Sequence, residues 1–241
     1  MMKKLKYSRS LMLAATAALL GISAAPPAFA QSSAVYPPGT TAIGLSYGEL
    51  SAAWWQWLFA IPTGPGTDQN PQDQGSGSVN CSINQTAPVL FLTGSGSGTA
   101  VNRTCSSNIS TTTSFLFPLI NVECSTQDQP PFHCTDAASC RQCAESFANL
   151  IDPSSLTASV DGISLLNPPT QNFRAESPFF NFTTPSNNIL GSKGGPGMSV
   201  SDGYWVMLKP LPPGKHTVTF RGSIPSFNFT QNVTYTITVS Q

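Results

Sequence analysis

The sequence predicts a mainly β protein, an antiparallel, jelly-roll-like β-sandwich with a Trp-rich N-terminal helix and one short cysteine-bearing helix. Charged residues make up only 9% of the chain, and Ser, Thr, Asn, Gln and Gly supply most of the polar surface. Short β-branched or aromatic runs alternate with turn residues, among them many of the 21 prolines. Six cysteines follow an apolar N-terminal segment. Together these features are typical of an exported, disulfide-bonded β domain.

Residues 1–30 have the pattern of a signal peptide. A basic start precedes an apolar run over residues 11–22, and Ala28-Phe29-Ala30 provides a small-residue cleavage site. We therefore expect a secreted or periplasmic protein in which residues 31–241 form a single domain. Because four of the eleven Lys and Arg lie in the leader, seven remain against eleven Asp and Glu, a net charge of about −4. This balance argues against a nucleic-acid partner, and no later apolar run has the length of a membrane span.

A capping box marks the start of the first helix. The Ser46 hydroxyl and the Glu49 carboxylate are placed to accept each other's backbone N–H groups, which predicts a helix over 47–60. Residues 62–80 contain many turn formers and few apolar side chains, and they predict a long irregular loop. An apolar stripe with helical spacing predicts the second, short helix over 136–151.

Short apolar runs between turn residues predict the strands of the sandwich. These runs cover residues 89–93, 113–122, 156–160, 173–175, 179–182, 204–208, 216–221 and 233–239. The last run alternates apolar and hydroxyl side chains, which indicates one buried and one exposed face. Asp161-Gly162 predicts a tight turn between paired strands. Residues 210–214, PLPPG, predict a rigid, hairpin-like corner.

Several motifs resemble those of one family of uncharacterised exported bacterial proteins. They are YGELSAAWWQWLFAIP at 47–62, FPLIN at 117–121, SDGYW at 201–205 and PLPPGKH at 210–216. The resemblance spans most of the mature chain and implies an exported β fold with a Trp-rich helix. It implies no activity, because none is assigned to the family. The cysteine-rich stretch 124–143 is not typical of that family.

The six cysteines predict disulfides, since an exported protein meets an oxidising compartment. Cys81 and Cys105 bracket a strand, and we expect them to link it to its neighbour. The other four are expected to pair among themselves around the short helix: Cys124, Cys134, Cys140 and Cys143. Spacing alone leaves their connectivity open. The alternative is a zinc site formed by the same four cysteines with His133, which needs reduced thiolates.

The first helix also supplies the candidate binding residue. Trp54 and Trp57 share a face with Leu50 and are expected to pack on the sheet. Trp55 lies off that face, so we expect it to be exposed and available to stack on a sugar ring.

Other candidate chemistry is weaker, and we assign no catalytic residue, metal site or cofactor. The sequence lacks a nucleophile elbow, an H-E-x-x-H motif and a P-loop. His216 follows a Pro-Gly corner, where a structural role is expected. Three oxygen-bearing side chains in one loop suggest calcium but are also common in turns: Asp68, Asn70 and Asp73. Four carboxylates are candidates for a glycoside-hydrolysing pair: Glu49, Asp161, Glu176 and Asp202.

We therefore expect an exported, non-catalytic β-sandwich protein of binding or structural type. Carbohydrate or another cell-surface polymer is the ligand class that its uncharged, hydroxyl-rich and amide-rich composition favours. Two alternatives stay open. One is a polysaccharide-active enzyme that uses a carboxylate pair, and the other is a secreted factor that acts on other cells.

Overall fold

The computed structural model describes residues 34–64, 69–85, 88–166 and 170–241. The predicted signal peptide, residues 1–30, lies outside these ranges. The helices are α1 (Tyr47–Phe59) and α2 (Ala137–Ala148). The strands are β1 (Gly77–Val79), β2 (Val89–Phe91), β3 (Ala100–Cys105), β4 (Ile109–Ser110), β5 (Ser114–Ser125), β6 (Thr157–Val160), β7 (Ile163–Ser164), β8 (Arg174–Glu176), β9 (Phe180–Thr184), β10 (Gly195–Leu208), β11 (Gly214–Ile224) and β12 (Phe229–Ser240).

The predicted β-sandwich with two helices is confirmed. The larger sheet has the order β1-β3-β12-β11-β6-β7, with β4 also paired to β12. The smaller sheet has the order β2-β5-β10-β8, with β9 also paired to β10. The longest pairings, β5 with β10 and β11 with β12, are antiparallel. The sheets are nevertheless mixed, because β1–β3, β2–β5, β3–β12 and β4–β12 are parallel.

The main hydrophobic core lies between the two sheets. Phe117 of β5 stacks on Phe220 of β11 with ring centroids 4.8 Å apart, and Phe220 stacks in turn on Tyr235 of β12. Along β12, the odd-numbered residues from 231 to 239 are buried, and the even-numbered ones are partly or fully exposed. The alternation that the sequence predicts for this strand is therefore confirmed.

Helix α1 covers the other face of the smaller sheet. Neighbouring residues of β5 belong to different cores, since Phe117 packs between the sheets whereas Leu116 packs with the helix. Trp54 of α1 meets Trp205 of β10 at a centroid distance of 5.4 Å. The capping box is also present: the Ser46 hydroxyl accepts from the Glu49 N–H, and the Glu49 carboxylate accepts from the Ser46 N–H at 2.8 Å.

The two predicted turns have different outcomes. Asp161 and Gly162 both have positive φ, +50° and +79°, and they connect β6 to β7 as an antiparallel hairpin, as predicted. Residues 210–214 connect β10 of the smaller sheet to β11 of the larger sheet. The hairpin-like corner is therefore wrong, since a Pro-rich rigid segment serves equally well to carry the chain from one sheet to the other.

Four short strands lie outside the predicted runs: β1, β3, β4 and β7. Within the described part of the loop over 62–80, only β1 is a strand, and it pairs with β3. Strand β3 lacks an apolar run, because Arg103 stands between two polar residues in its sequence. Arg103 is nevertheless buried, with 1% of its surface exposed. No helix in the described ranges combines the length and hydropathy needed to cross a bilayer.

Candidate binding groove

All six cysteines form disulfides: Cys81–Cys105, Cys124–Cys143 and Cys134–Cys140. This agrees with the two groups expected from the sequence. The Cys81–Cys105 bond links the segment after β1 to the end of β3, and Cys124–Cys143 links the end of β5 to α2. The Cys134–Cys140 bond links α2 to the segment that precedes it. The sulfurs are bonded to one another, so the alternative zinc site of four thiolates and His133 is absent from this structure. Three disulfides indicate an oxidising environment.

Trp55 is only 8% exposed, so the prediction of a freely exposed ring is wrong. Its ring packs against Trp54 and Phe59, each at a centroid distance of 5.0 Å. The prediction assumed that α1 buries a single stripe. Nine of the 13 residues of the helix are in fact buried, because it contacts strands β8, β9 and β10 together with the segment that follows it.

The four carboxylates proposed for catalysis each have a structural partner. Glu49 caps α1, and Asp161 accepts from His216 Nδ1 at 2.8 Å. Glu176 and Asp202 are cross-strand neighbours on β8 and β10. Their partners are separate arginines, Arg141 and Arg174 respectively. Asp161 lines a cavity, but all four carboxylates are engaged in a helix cap or an ion pair, so none of them is a free acid.

His216 is held in the wall of a 230 Å³ cavity. Its Nδ1 lies 2.8 Å from Asp161 Oδ2, and its Nε2 lies 2.9 Å from the Pro212 carbonyl oxygen. Both ring nitrogens therefore face oxygen atoms of the protein itself, which fixes the orientation of the ring. The structural role expected for this histidine agrees with these contacts.

The residues suggested for calcium do not form a shared site in the described structure. Asn70 is buried, and its Nδ2 donates to the carbonyls of Leu58 and Ile61 at the end of α1. Asp68 lies outside the described residues. Within the described ranges, no group of three or more His, Cys, Asp or Glu is placed to hold a metal ion. Asn70 instead ties the following segment to the helix, because its Oδ1 accepts from the Gln72 N–H.

A groove of about 610 Å³ is the most promising site for a ligand. It runs between α1, the end of β5 and the start of β12. Its aromatic lining consists of Trp55, Phe132, Phe227 and Phe229. Its polar lining consists of Gln72, Asp73, Asn121, Glu123 and Asp128. A smaller adjoining cavity of about 80 Å³ shares Trp55, Gln72, Asn121 and Phe229 with it.

Arg103 positions one wall of this groove. Its Nη2 donates to the Gln74 carbonyl at 2.5 Å, next to the lining residues Gln72 and Asp73. Its Nη1 donates to the Gly94 carbonyl and to the Tyr235 hydroxyl at 2.9 and 2.8 Å. The guanidinium thereby connects two loops to the larger sheet, which explains why an arginine is buried on β3.

Two acids in the groove, Glu123 and Asp128, are in direct contact, and we call them the acid pair. Their carboxyl groups are close enough that each one affects the pKa of the other. Glu123 also accepts from the Ser199 hydroxyl, and Asp128 accepts from the Ser125 hydroxyl, both at 2.5 Å. Glu123 is 7% exposed. The acid pair is thus held in place by serines on both β10 and β5.

Burial sets the protonation of the acid pair. Desolvation, followed by repulsion from Asp128, raises the pKa of Glu123 well above its ordinary value. Desolvation also raises the pKa of Asp128, although the Ser125 hydroxyl opposes this. Partial burial raises the pKa of Asp73 in the same groove. Carboxyl groups with raised pKa values in a cleft are a frequent mark of a functional site.

Two hydrogen-bond donors at the groove have no acceptor among the described residues. They are the indole Nε1 of Trp55 and the amide Nδ2 of Asn121, both buried. An unpaired buried donor costs about 1–3 kcal/mol. A ligand oxygen that reached either donor would recover part of this cost.

Sequence reasoning missed the acid pair. The signal available was a glutamate that ends an apolar run and directly precedes a cysteine, because an acidic residue in a buried strand needs a specific partner. Asp128 lies in a polar turn, where aspartate is ordinary. Only the fold of that turn against β5 brings the two carboxyl groups together.

Comparisons with known proteins add no family. No family model, no curated protein and no solved structure matches this chain. The resemblance of its motifs to a family of exported bacterial proteins therefore stays a prediction.

Proposed function

We propose that this is an exported binding protein whose groove holds a carbohydrate or another hydroxyl-rich cell-surface polymer. The observation that supports this most directly is the composition of the groove lining. Aromatic rings alternate there with amide and carboxyl side chains, and two buried donors lack acceptors. This combination suits a ligand that has apolar ring faces and many hydroxyl groups.

Each part of the lining has a role in such binding. The rings of Phe132 and Phe229 offer apolar surfaces to the faces of sugar rings. Gln72 and Asn121 each carry an amide that both donates to and accepts from hydroxyl groups. Trp55 contributes from the side of the groove, as a buried wall residue instead of the exposed platform predicted from the sequence.

Export is part of the same proposal. The pattern of residues 1–30 supports cleavage of a signal peptide, and the three disulfides support an oxidising compartment. We therefore place the protein outside the cytoplasm, in the periplasm or in the medium.

A glycan array probed with residues 31–241 tests the binding function. We expect a defined set of glycans to bind, and Trp55→Phe, which removes the unpaired N–H but keeps an aromatic ring, to weaken that binding. Trp205→Phe is the matched control, since the Trp205 Nε1 is also buried without a partner but Trp205 does not line the groove. Absence of binding to every glycan, or equal loss in both variants, would contradict the proposal.

A polysaccharide-cleaving enzyme is the second candidate, and the acid pair is the observation that favours it. Glycosidases that use two carboxyl groups separate them by about 5 Å or more, so that the scissile bond or a water fits between them. Glu123 and Asp128 are close neighbours that affect each other's pKa, and this closeness suits the mechanism less well than binding. Release of new reducing ends from polysaccharides, lost in Glu123→Gln, would establish the enzyme instead.

A further inference from the structure

We propose that the ligand of the groove is a polysaccharide that carries protonated amino groups, and that the Glu123–Asp128 pair binds one of those ammonium groups. This inference rests on the proposed carbohydrate-binding function and adds the charge of the ligand to it.

The charge of the groove is the first reason. Three carboxyl groups line it, those of Asp73, Glu123 and Asp128, and among the described lining residues there is no lysine or arginine. The nearby base is His133, whose Nδ1 lies 3.1 Å from the backbone carbonyl oxygen of Asp128. A groove with this imbalance attracts a cation and repels acidic polysaccharides.

The geometry of the acid pair is the second reason. Each carboxyl group already accepts from a serine hydroxyl, Ser199 for Glu123 and Ser125 for Asp128, so the serines hold both groups in position. Two neighbouring carboxylates repel each other, and a cation between them removes that repulsion. An ammonium group has three donors and a full positive charge, so it can donate to both carboxylates at once.

The remaining lining residues favour a sugar over other cations. The unpaired donors of Trp55 and Asn121 match hydroxyl or ring oxygens of a sugar. Phe132 and Phe229 match the apolar faces of sugar rings. A bare metal ion would leave these aromatic rings and donors without a partner.

Proton exchange gives the proposal a signature that a neutral ligand lacks. Burial raises the pKa of both members of the acid pair, and an ammonium group bound beside them lowers both pKa values again, because a nearby cation favours the charged carboxylates. Binding should therefore release protons to the buffer. The other titratable groups at the site are Asp73 and His133.

Calorimetry with a matched pair of oligosaccharides tests the inference. The probes are a glucosamine hexamer and the fully N-acetylated hexamer, titrated at about pH 5, where the sugar amines are protonated although neighbouring oxygens make them less basic than an alkyl amine. We expect the amine-bearing hexamer to bind at least about tenfold more tightly, with proton release detected from buffers of different ionisation enthalpy. Added salt should weaken this binding much more than that of the acetylated hexamer.

Variants then locate the contact. Glu123→Gln and Asp128→Asn should each reduce the preference for the amine by about tenfold or more and reduce the proton release. Glu145→Gln is the control, because it removes the same charge from an exposed residue of α2 that does not line the groove. Circular dichroism checks that each variant is folded, and the comparison of the two hexamers on the unmodified protein needs no variant.

The outcomes separate the two proposals. Equal binding of both hexamers, or tighter binding of the acetylated one, overturns the inference and leaves the proposed function standing. Absence of binding to either hexamer and to every arrayed glycan overturns both. Binding of tetralysine or Ca²⁺ without binding of the amine-bearing hexamer overturns the inference in favour of a basic peptide or a metal ion.

Discussion

Replacing Cys81 and Cys105 together by serine tests how much one covalent link contributes to stability. The bond joins residues 24 apart in the chain, one just after β1 and the other at the end of β3. Closing a loop of this length lowers the entropy of the unfolded chain by an amount worth about 3.5 kcal/mol at 25 °C in the chain-entropy model. For a chain of this size, such a loss corresponds to a fall in Tm of about 7–14 °C.

The matched comparison is the double serine variant of Cys134 and Cys140, whose bond spans a separation of 6. The same relation gives it only about 2.2 kcal/mol. Urea unfolding followed by tryptophan fluorescence measures both free energies, since Trp54 and Trp205 lie in a buried cluster that unfolding exposes to water. A loss below about 1 kcal/mol for the longer loop, or a larger loss for the shorter one, would refute the reasoning.

Three further predictions concern stability. Ser46→Ala removes the cap acceptor for the Glu49 N–H and should lower the free energy of unfolding by about 1 kcal/mol in the same assay, with no loss expected if the cap is unimportant. Arg103→Met leaves the carbonyls of two loops without donors and should cost about 3 kcal/mol or more; a neutral result would contradict its anchoring role. Burial raises the pKa of Glu123 in the folded protein above its ordinary value of 4.5. Between these two pKa values the folded protein binds more protons than the unfolded chain, so the free energy of unfolding should fall as the pH rises from about 4.5 through the raised pKa. Glu123→Gln cannot ionise and should flatten this slope in urea titrations from pH 4 to 9, and an unchanged slope would assign the effect elsewhere.

The elements that could be predicted are those whose causes are local. The helix α1 follows from a capping box and a following run of helix-compatible residues, and β12 follows from strict alternation over adjacent positions. The grouping of the cysteines follows from their proximity in the chain and from the even number of thiols. Each of these signals is contained in a stretch of the chain that is a few residues to a few tens of residues long.

Other features escaped because their causes are distant in sequence. Strand β3 is held by parallel pairing with β1 and β12, whose residues lie before and far after it. Trp55 is buried because α1 is surrounded on more than one side by strands that are distant in sequence, β8, β9 and β10, and by the segment that follows the helix. The 210–214 corner carries the chain between sheets, which no property of five residues could reveal.

The amino-acid pattern alone predicted a disulfide-bonded β protein with a capped, Trp-rich helix, because caps, strand periodicity and cysteine grouping depend on residues that are close in the chain. The candidate site required the folded chain. Glu123 and Asp128 come into contact only when a turn folds back on β5, and serines from β5 and β10 hold them there. Their raised pKa values arise from burial beneath groups remote in sequence, and burial is a property of the packed molecule.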